Sequence, residues 1–95
     1  VAMTANAQRF VGAASLQAVS GTPVRDTLWD EAAEAAMGHI ELARWADRVV
    51  VAPAPADLLA KLAHGIADDL VTTLCLATTA PLFVAPAMNN RMWLH

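Results

Sequence analysis

Two side chains of this sequence have the chemistry of a small-molecule site. His39 comes directly after Gly38, and an imidazole can take up and release a proton near neutral pH. Asn89 follows the apolar run Leu82–Val84, and its carboxamide can donate and accept hydrogen bonds at the same time. These residue types are typical of a catalytic base and of a group that binds a carboxylate or an amide. The pattern alone also fits a half-buried histidine at a helix start and an Asx turn at Asn89.

Three short apolar runs are predicted to be the strands that position these residues. Strands that alternate with helical segments indicate an α/β three-layer domain with a parallel sheet. Ligands of such sheets bind outside the carboxyl ends of the strands. Thr4, Pro53–Asp57 and Pro86–Trp93 are therefore expected to converge on one crevice. The runs are Val1–Met3, Ala46–Ala52, which Pro53 is expected to end, and Leu82–Ala85.

Capping side chains and glycines divide the segments between the strands into helices. Gly38 is expected to separate two helices within residues 29–44, and Gly65 to end a third helix. The predicted helices are Ala5–Val11 with Thr4 as its N-cap, Leu16–Val19 with Ser15 as its N-cap, parts of Trp29–Arg44, Asp57–Ala63, and Leu70–Ala77 with Asp68 or Asp69 as its N-cap.

Other candidate sites are weaker. The small residues of Pro53–Asp57 let a planar or phosphorylated ligand approach the backbone, although an ordinary turn with Asp57 as a helix N-cap fits as well. Cys75, inside an apolar helix, is expected to be a core residue rather than a nucleophile. Three scattered histidines and one cysteine do not form a zinc pattern, so no metal site is predicted. Neither a G-x-G-x-x-G fingerprint nor a Walker loop is present.

The composition limits the class of protein. The 95 residues are 57% hydrophobic and 16% charged, which is apolar for a small monomer. We therefore expect a piece of a larger protein or a subunit of an obligate oligomer, and the start at Val1 predicts a missing N-terminus. The net charge is −3 without a basic cluster, so nucleic acid and membranes are not expected partners. A single cysteine fits a reducing compartment and predicts a cytoplasmic protein.

Four segments resemble a known family. Residues 86–93, PAMNNRMW, resemble the PxMNxxMW signature of the homo-oligomeric flavin-containing cysteine decarboxylases. Residues 38–47, GHIELARWAD, resemble the segment that carries the active-site histidine of that family. Residues 49–70 are similar to its flavin-contacting segment, and residues 1–11 to the segment in which a threonine meets the flavin phosphate. The order and spacing match along essentially the whole chain, and the signature is highly specific.

The resemblance implies a flavodoxin-like three-layer sandwich that binds FMN and assembles as a trimer or a dodecamer of trimers. The most similar branch decarboxylates 4′-phosphopantothenoylcysteine to 4′-phosphopantetheine in coenzyme A biosynthesis. FMN there oxidises the cysteine thiol to a thioaldehyde, whose C=S group takes up the electrons released with CO₂, and the enethiolate is then reduced by the reduced flavin. By position, the resemblance implies that His39 is the catalytic base, that Asn89 and Met92 contact the substrate, and that FMN is contacted by Thr4, Pro53, Ala54, Pro55, Ala56 and Ala87.

Some features of the family are expected outside residues 1–95. These are the first strand with its Gly-Ser phosphate loop before Val1, and the substrate loop with the cysteine of the reducing step beyond His95. The chain is therefore expected to be a partial flavoprotein decarboxylase domain, truncated at both ends. Pro55 replaces a polar residue of the relatives, so one flavin hydrogen bond is expected to be lost. The alternatives are a peptidyl-cysteine oxidative decarboxylase and a non-catalytic regulatory paralogue. The presence of both His39 and Asn89 disfavours the regulatory paralogue.

Overall fold

Two parallel strands form the sheet in the computed structural model, which describes the whole chain, residues 1–95. Strand β1 (Val49–Ala54) pairs with β2 (Leu82–Pro86), and the first three residues of each strand stand opposite one another. β1 begins with three valines, whose branched side chains favour the extended backbone. The predicted α/β class with a parallel sheet is confirmed.

The ends of β1 differ from those predicted. The sequence predicts a strand at Ala46–Ala52, whereas β1 begins at Val49 and continues through Pro53 to Ala54. Proline has no N–H for a ladder, but the register shifts between Val51 and Ala54, so Pro53 lies at an irregularity that tolerates it. The prediction that Pro53 ends the strand is therefore wrong.

The first residues of the chain form a separate parallel bridge. Ala2 pairs with Arg25. The Met3 N–H donates to the Arg25 carbonyl at 2.8 Å, and the Arg25 N–H donates to the Val1 carbonyl at 2.9 Å. Val1–Met3 is thus extended, as predicted, although it makes no backbone hydrogen bond with β1.

Six α-helices and one 3₁₀ turn complete the fold. The two helices predicted around Gly38 are confirmed, and the helix predicted at Leu70–Ala77 has the bounds predicted for it. No helix has both the length and the apolar character needed to cross a lipid bilayer. The elements are a 3₁₀ turn at Ala7–Arg9, α1 (Ala13–Ser20), α2 (Glu31–Ala36), α3 (His39–Trp45), α4 (Ala56–His64), α5 (Leu70–Ala77) and α6 (Asn90–Leu94).

Local cap chemistry fixes where several helices start and stop. Asp69 caps α5, because its carboxylate accepts from the Thr72 N–H at 2.8 Å and the Thr72 hydroxyl accepts from the Asp69 N–H at 3.1 Å. Gly21 and Gly65 end α1 and α4 with φ of 73° and 69°. Glycine adopts this left-handed conformation without a steric cost, so both helices stop there.

Two other predicted caps are wrong. The N-cap of α1 is Gly12, and Ser15 lies inside the helix. The N-cap of α4 is Pro55, and Asp57 lies in its first turn. A carboxylate in the first turn of a helix is favoured by the exposed N–H groups there, so the same residue type fits either position.

The hydrophobic core is small and involves β1, α4 and α5. Val51, Ala54, Leu58 and Cys75 are buried together. Only 9 of the 95 residues are buried, so most large apolar side chains keep contact with solvent. All five aromatic residues are exposed: Phe10, Trp29, Trp45, Phe83 and Trp93.

Helix α3 is attached to this core through α5. The two helices pack against each other, and the Thr78 hydroxyl at the end of α5 donates to the Ala43 carbonyl in α3 at 2.9 Å. Ala43 is itself buried. The helix that begins with His39 therefore has a fixed position relative to the sheet.

Candidate active site

His39 lies at the first position of α3, after a two-residue break. Met37 (φ −154°, ψ 105°) and the N-cap Gly38 (φ −62°, ψ 163°) are both extended, so the chain turns between α2 and α3. The side chain of His39 is 30% exposed, which leaves part of the imidazole open to a ligand. The predicted break and helix start are confirmed, and the catalytic role of His39 stays a prediction.

The carboxylate of Glu34 holds His39 from the last part of α2. Glu34 Oε1 lies 3.2 Å from His39 Nδ1. Glu34 Oε2 accepts from the His39 backbone N–H at 3.3 Å and lies 3.4 Å from Nδ1. One carboxylate thus contacts both the main chain and the ring of His39, which fixes the direction of the imidazole.

Arg25 fixes the break from the other side. Its Nη1 donates to the Met37 carbonyl at 2.7 Å, a short bond of the charge-assisted kind. The Nε of Arg25 is buried without a hydrogen-bond partner. The guanidinium therefore links the N-terminal bridge to the residues just before His39.

A cavity of about 1150 Å³ is lined by the N-terminal segment, by β1 and by residues of α2 to α5. Of its 33 lining residues, 22 are hydrophobic, so it suits a largely apolar or aromatic ligand. Four of the predicted flavin contacts line it: Thr4, Pro53, Pro55 and Ala87. The predicted convergence of the first two strand ends with Ala87 is therefore observed.

Thr4 lies three residues before the 3₁₀ turn Ala7–Arg9. Its hydroxyl oxygen accepts from the Ala7 N–H at 3.1 Å, but only the 3₁₀ turn Ala7–Arg9 follows instead of the predicted helix Ala5–Val11. A hydroxyl that accepts through oxygen keeps its own proton to donate. Thr4 can therefore donate to an anionic oxygen in the cavity without losing its cap.

The loops after β1 and β2 lie side by side. The Ala87 N–H donates to the Ala54 carbonyl at 3.0 Å, which extends the ladder by one bond beyond Pro86. Ala54 is 0% exposed and belongs to the core, and Ala56 begins α4, so neither lines the cavity. The structure thus separates the predicted flavin contacts into four that line the cavity and two that support it from behind.

Asn89 is the N-cap of α6. Its Oδ1 accepts from the Arg91 N–H at 2.8 Å, and its side-chain NH₂ remains free to donate. Both interpretations of Asn89, as a local cap and as a ligand-binding carboxamide, therefore fit one geometry. Met92, on the same helix, is 54% exposed. Neither these two residues nor His39 lines the cavity.

Cys75 is a core residue, as predicted. It packs with Val51, Ala54 and Leu58, and burial raises the pKa of its thiol, with a smaller contribution from Asp69. A raised pKa keeps the thiol protonated at neutral pH, so it is a poor nucleophile.

The Flavoprotein family profile matches residues 1–95. This chain belongs to the Flavoprotein family. A curated relative, the coenzyme A biosynthesis bifunctional protein CoaBC of Escherichia coli K12, is 63% identical over 93 residues, which cover 98% of this chain and 23% of the relative. The chain thus spans about a quarter of the length of that relative.

Solved structures of Flavoprotein relatives have the same fold. The FMN-dependent cysteine decarboxylase SpaF is 41% identical with a TM-score of 0.85, over 99% of this chain and 53% of the other. A mutant PPC decarboxylase complexed with pantothenoylaminoethenethiol is 37% identical with a TM-score of 0.73, over 99% of this chain and 54% of the other. The predicted flavodoxin-like fold is confirmed.

The Flavoprotein cavity fits a flavin. Its apolar lining suits the ring system, and the free proton of the Thr4 hydroxyl suits a phosphate oxygen. The lining residues also include the cations Arg25, Arg48 and Lys61, beside the carboxylates Asp57 and Asp69. The proline and alanine residues of the β1 exit leave room for a planar ring to approach the backbone.

Glu34 and Arg25 are two residues of this Flavoprotein site that the sequence analysis missed. The signal for Glu34 was a carboxylate shortly before a glycine break and a histidine. For Arg25 no local signal exists, because its partner Met37 is 12 residues away and meets it only in the folded chain.

Proposed function

We propose that residues 1–95 form part of an FMN-dependent decarboxylase that converts 4′-phosphopantothenoylcysteine to 4′-phosphopantetheine and CO₂ in the cytoplasm. The observation that carries this proposal is the 63% identity to the coenzyme A biosynthesis protein over 98% of this chain. The identity to the cysteine decarboxylase SpaF is lower, at 41%. The proposed location rests on the single cysteine, Cys75, which leaves these residues without an internal disulfide.

The side chains divide the work of this reaction. The Nε2 atom of His39 takes up a substrate proton, since Nδ1 faces Glu34. The free NH₂ group of Asn89 donates to the substrate carboxylate and sets its direction, with Met92 beside it. When bound, FMN supplies the two-electron oxidation at the thiol carbon and the matching reduction after CO₂ has left.

The FMN contacts in this proposal come from the exits of all three extended segments. Thr4 donates its hydroxyl proton to the phosphate. Pro53, Pro55 and Ala87 contact the ring from the cavity wall. Ala54 and Ala56 support this wall from behind, since Ala54 is completely buried and its carbonyl accepts from the Ala87 N–H.

Self-association is part of the proposal. Many large apolar side chains are exposed, among them Phe10, Trp29 and Trp45, which would be unusual in a small monomer. We propose that copies of the protein cover these faces in a homo-oligomer built from trimers. A sedimentation measurement of the intact protein at several concentrations tests this step, and a monomer at micromolar concentration would contradict it.

The test is a decarboxylation assay on the intact protein that carries residues 1–95, loaded with FMN. We expect release of CO₂ and formation of 4′-phosphopantetheine from 4′-phosphopantothenoylcysteine. A peptide that ends in cysteine is the comparison substrate, because the higher TM-score to SpaF, 0.85 against 0.73, favours a cysteine decarboxylase of other substrates as the second candidate. Turnover of the peptide alone would replace the proposed substrate with the second one.

A further inference from the structure

The contact between Glu34 and His39 depends on the break between α2 and α3. The two residues are five positions apart, whereas side chains that meet on a continuous helix are three or four apart. The extended backbone of Met37 and Gly38 brings the start of α3 back toward α2. The Glu34 carboxylate then reaches both the N–H and the Nδ1 of His39, at 3.3 and 3.2 Å.

Gly38 leaves the space that this carboxylate fills. A Cβ on Gly38 would lie 2.8 Å from Oε1 and 3.3 Å from Cδ of Glu34. The φ of Gly38 is −62°, which any residue can adopt, so the backbone itself does not demand glycine. A side chain at position 38 would therefore displace the Glu34 carboxylate from its contact with His39.

The carboxylate also decides which ring nitrogen of His39 is the base. An ionised carboxylate only accepts hydrogen bonds, so Nδ1 next to it carries the proton. In the neutral ring the lone pair then lies on Nε2. No other side chain or backbone group makes a hydrogen bond to the ring.

We propose that Glu34 is a positioning residue for His39, which holds the ring in the Nδ1–H tautomer and directs Nε2 toward the substrate. When Nε2 takes a proton from the substrate, the adjacent carboxylate stabilises the imidazolium that forms. The catalytic part of this inference rests on the proposed decarboxylase function. The tautomer part rests only on the geometry of α2, the break and α3.

The first test compares Glu34→Gln and Glu34→Ala in the intact FMN-loaded protein. We expect Glu34→Ala to lower kcat by about 10- to 100-fold, a part of what a general base contributes, with little change in KM. The amide oxygen of Glu34→Gln still accepts from Nδ1–H, so this variant should keep more of the activity. A wild-type kcat in Glu34→Ala, or a change in KM alone, would overturn the proposal.

A matched pair of glycines separates this role from general effects on helix starts. Gly38 and Gly12 are both N-caps with extended backbone, but a Cβ on Gly12 meets nothing within 4 Å. Gly38→Ala should lower kcat because it displaces the Glu34 carboxylate, and Gly12→Ala should not. In the double variant Glu34→Ala/Gly38→Ala, the alanine at 38 should add no further loss. Equal losses in the two glycine variants would count against the inference.

Nitrogen-15 NMR of labelled histidine gives a readout that does not need turnover. In the wild-type protein the His39 signals should show a protonated Nδ1 and an unprotonated Nε2, and Glu34→Ala should shift the ring toward the other tautomer. An Nε2–H tautomer in the wild-type protein would refute the positioning role. If the wild-type protein decarboxylates neither substrate, the proposed function fails, and the NMR result still decides whether Glu34 holds the ring.

Discussion

The two predicted ends of the substrate site are held in different ways. His39 follows a buried glycine, begins a helix that is attached to the core, and receives two contacts from Glu34, while Arg25 holds the preceding carbonyl. Asn89 has one local bond, to the Arg91 N–H, and lies between a strand and a helix whose residues are all exposed. One end is thus positioned by distant residues of this chain and the other by its own turn.

The two ends should therefore respond differently to substitution. The His39 end depends in part on contacts between residues far apart in sequence, Arg25 with Met37 and Thr78 with Ala43, so substitutions at Arg25 and Thr78 should alter it. The Asn89 end depends on cap chemistry between residues two apart, so substitutions should act mainly through the carboxamide itself. Variants at each end therefore test whether the base and the carboxylate-binding group fail for different reasons.

The largest effect is expected for His39→Asn. Loss of the proton acceptor should lower kcat by about 10²- to 10⁴-fold, the usual contribution of a general base, while FMN absorbance after desalting stays at the wild-type level. His39 does not line the cavity, which is why flavin binding should survive. The measurement is 4′-phosphopantetheine formation by the intact protein. Decarboxylation at the wild-type rate would remove His39 from the mechanism.

A smaller effect is expected for Asn89→Asp. Aspartate is as good an N-cap as asparagine, so α6 should keep its start, and only the charge facing the substrate changes. A carboxylate that faces the substrate carboxylate should raise KM by about tenfold or more, equivalent to about 1.4 kcal/mol or more of binding free energy. Asn89→Ser, which keeps a cap without charge, is the matched control. An equal KM in the aspartate and serine variants would argue against electrostatic repulsion as the cause.

Local chemistry explains which parts of the fold the sequence predicted. The N-cap at Asp69, the helix end at Gly65 and the break at Gly38 are each marked by signals within a few residues. The valine run of β1 is likewise a local signal. These predictions were confirmed by the structure.

The failures involve choices that local chemistry leaves open. Pro53 reads as a strand terminator, yet a shift in the pairing of β1 with β2 accommodates it. Ser15 and Asp57 are good capping residues that lie inside helices begun by Gly12 and Pro55. In both helices the first residue depends on the backbone conformation of the preceding segment, and the presence of a good capping residue does not reveal that conformation.

The candidate site divides in the same way. The residues at strand ends were predicted because all parallel strands bring their carboxyl ends to one edge, and Thr4, Pro53, Pro55 and Ala87 do line one cavity. Arg25 was not predicted, because its contact with Met37 exists only after the chain has folded, whereas Glu34 was missed although it lies five residues before His39. The strand ends that meet can be inferred from the spacing of the strands, whereas a contact such as that of Arg25 with Met37 cannot.

A moderate effect on stability is expected for Arg25→Met. The substitution keeps most of the apolar stem but removes the donor to the Met37 carbonyl, so the free energy of unfolding should fall by about 1–2 kcal/mol. Removal of the unpartnered Nε should recover a part of this loss. Urea unfolding of the intact protein measures it, with Arg25→Lys, which keeps the charge, as the control. Unchanged stability would mean that the break before His39 does not depend on Arg25.

The smallest effect is expected for Lys61→Met, at the exposed rim of the better-packed region. The Asp68 carboxylate accepts from Lys61 Nζ at 3.0 Å, and this hydrogen bond raises the pKa of Lys61 above its ordinary value of 10.5, against a smaller opposing effect of desolvation. Because the pKa is raised in the folded protein, the pair stabilises the fold below pH 10.5, and this contribution is lost as the pH rises through the raised pKa. The wild-type and Lys61→Met proteins should therefore differ slightly in stability at neutral pH, and this difference should disappear once the pH exceeds the raised pKa of Lys61.

Asp69→Ala provides the reference for this comparison, since loss of the α5 cap should cost about 1 kcal/mol. Both side chains of the Lys61–Asp68 pair are in contact with solvent, which weakens the attraction between them. The Lys61 variant should therefore lose less stability than the Asp69 variant in the same urea titration at pH 7. The reverse order would mean that surface charge, rather than cap chemistry and burial, holds α4 and α5 together beneath the His39 helix.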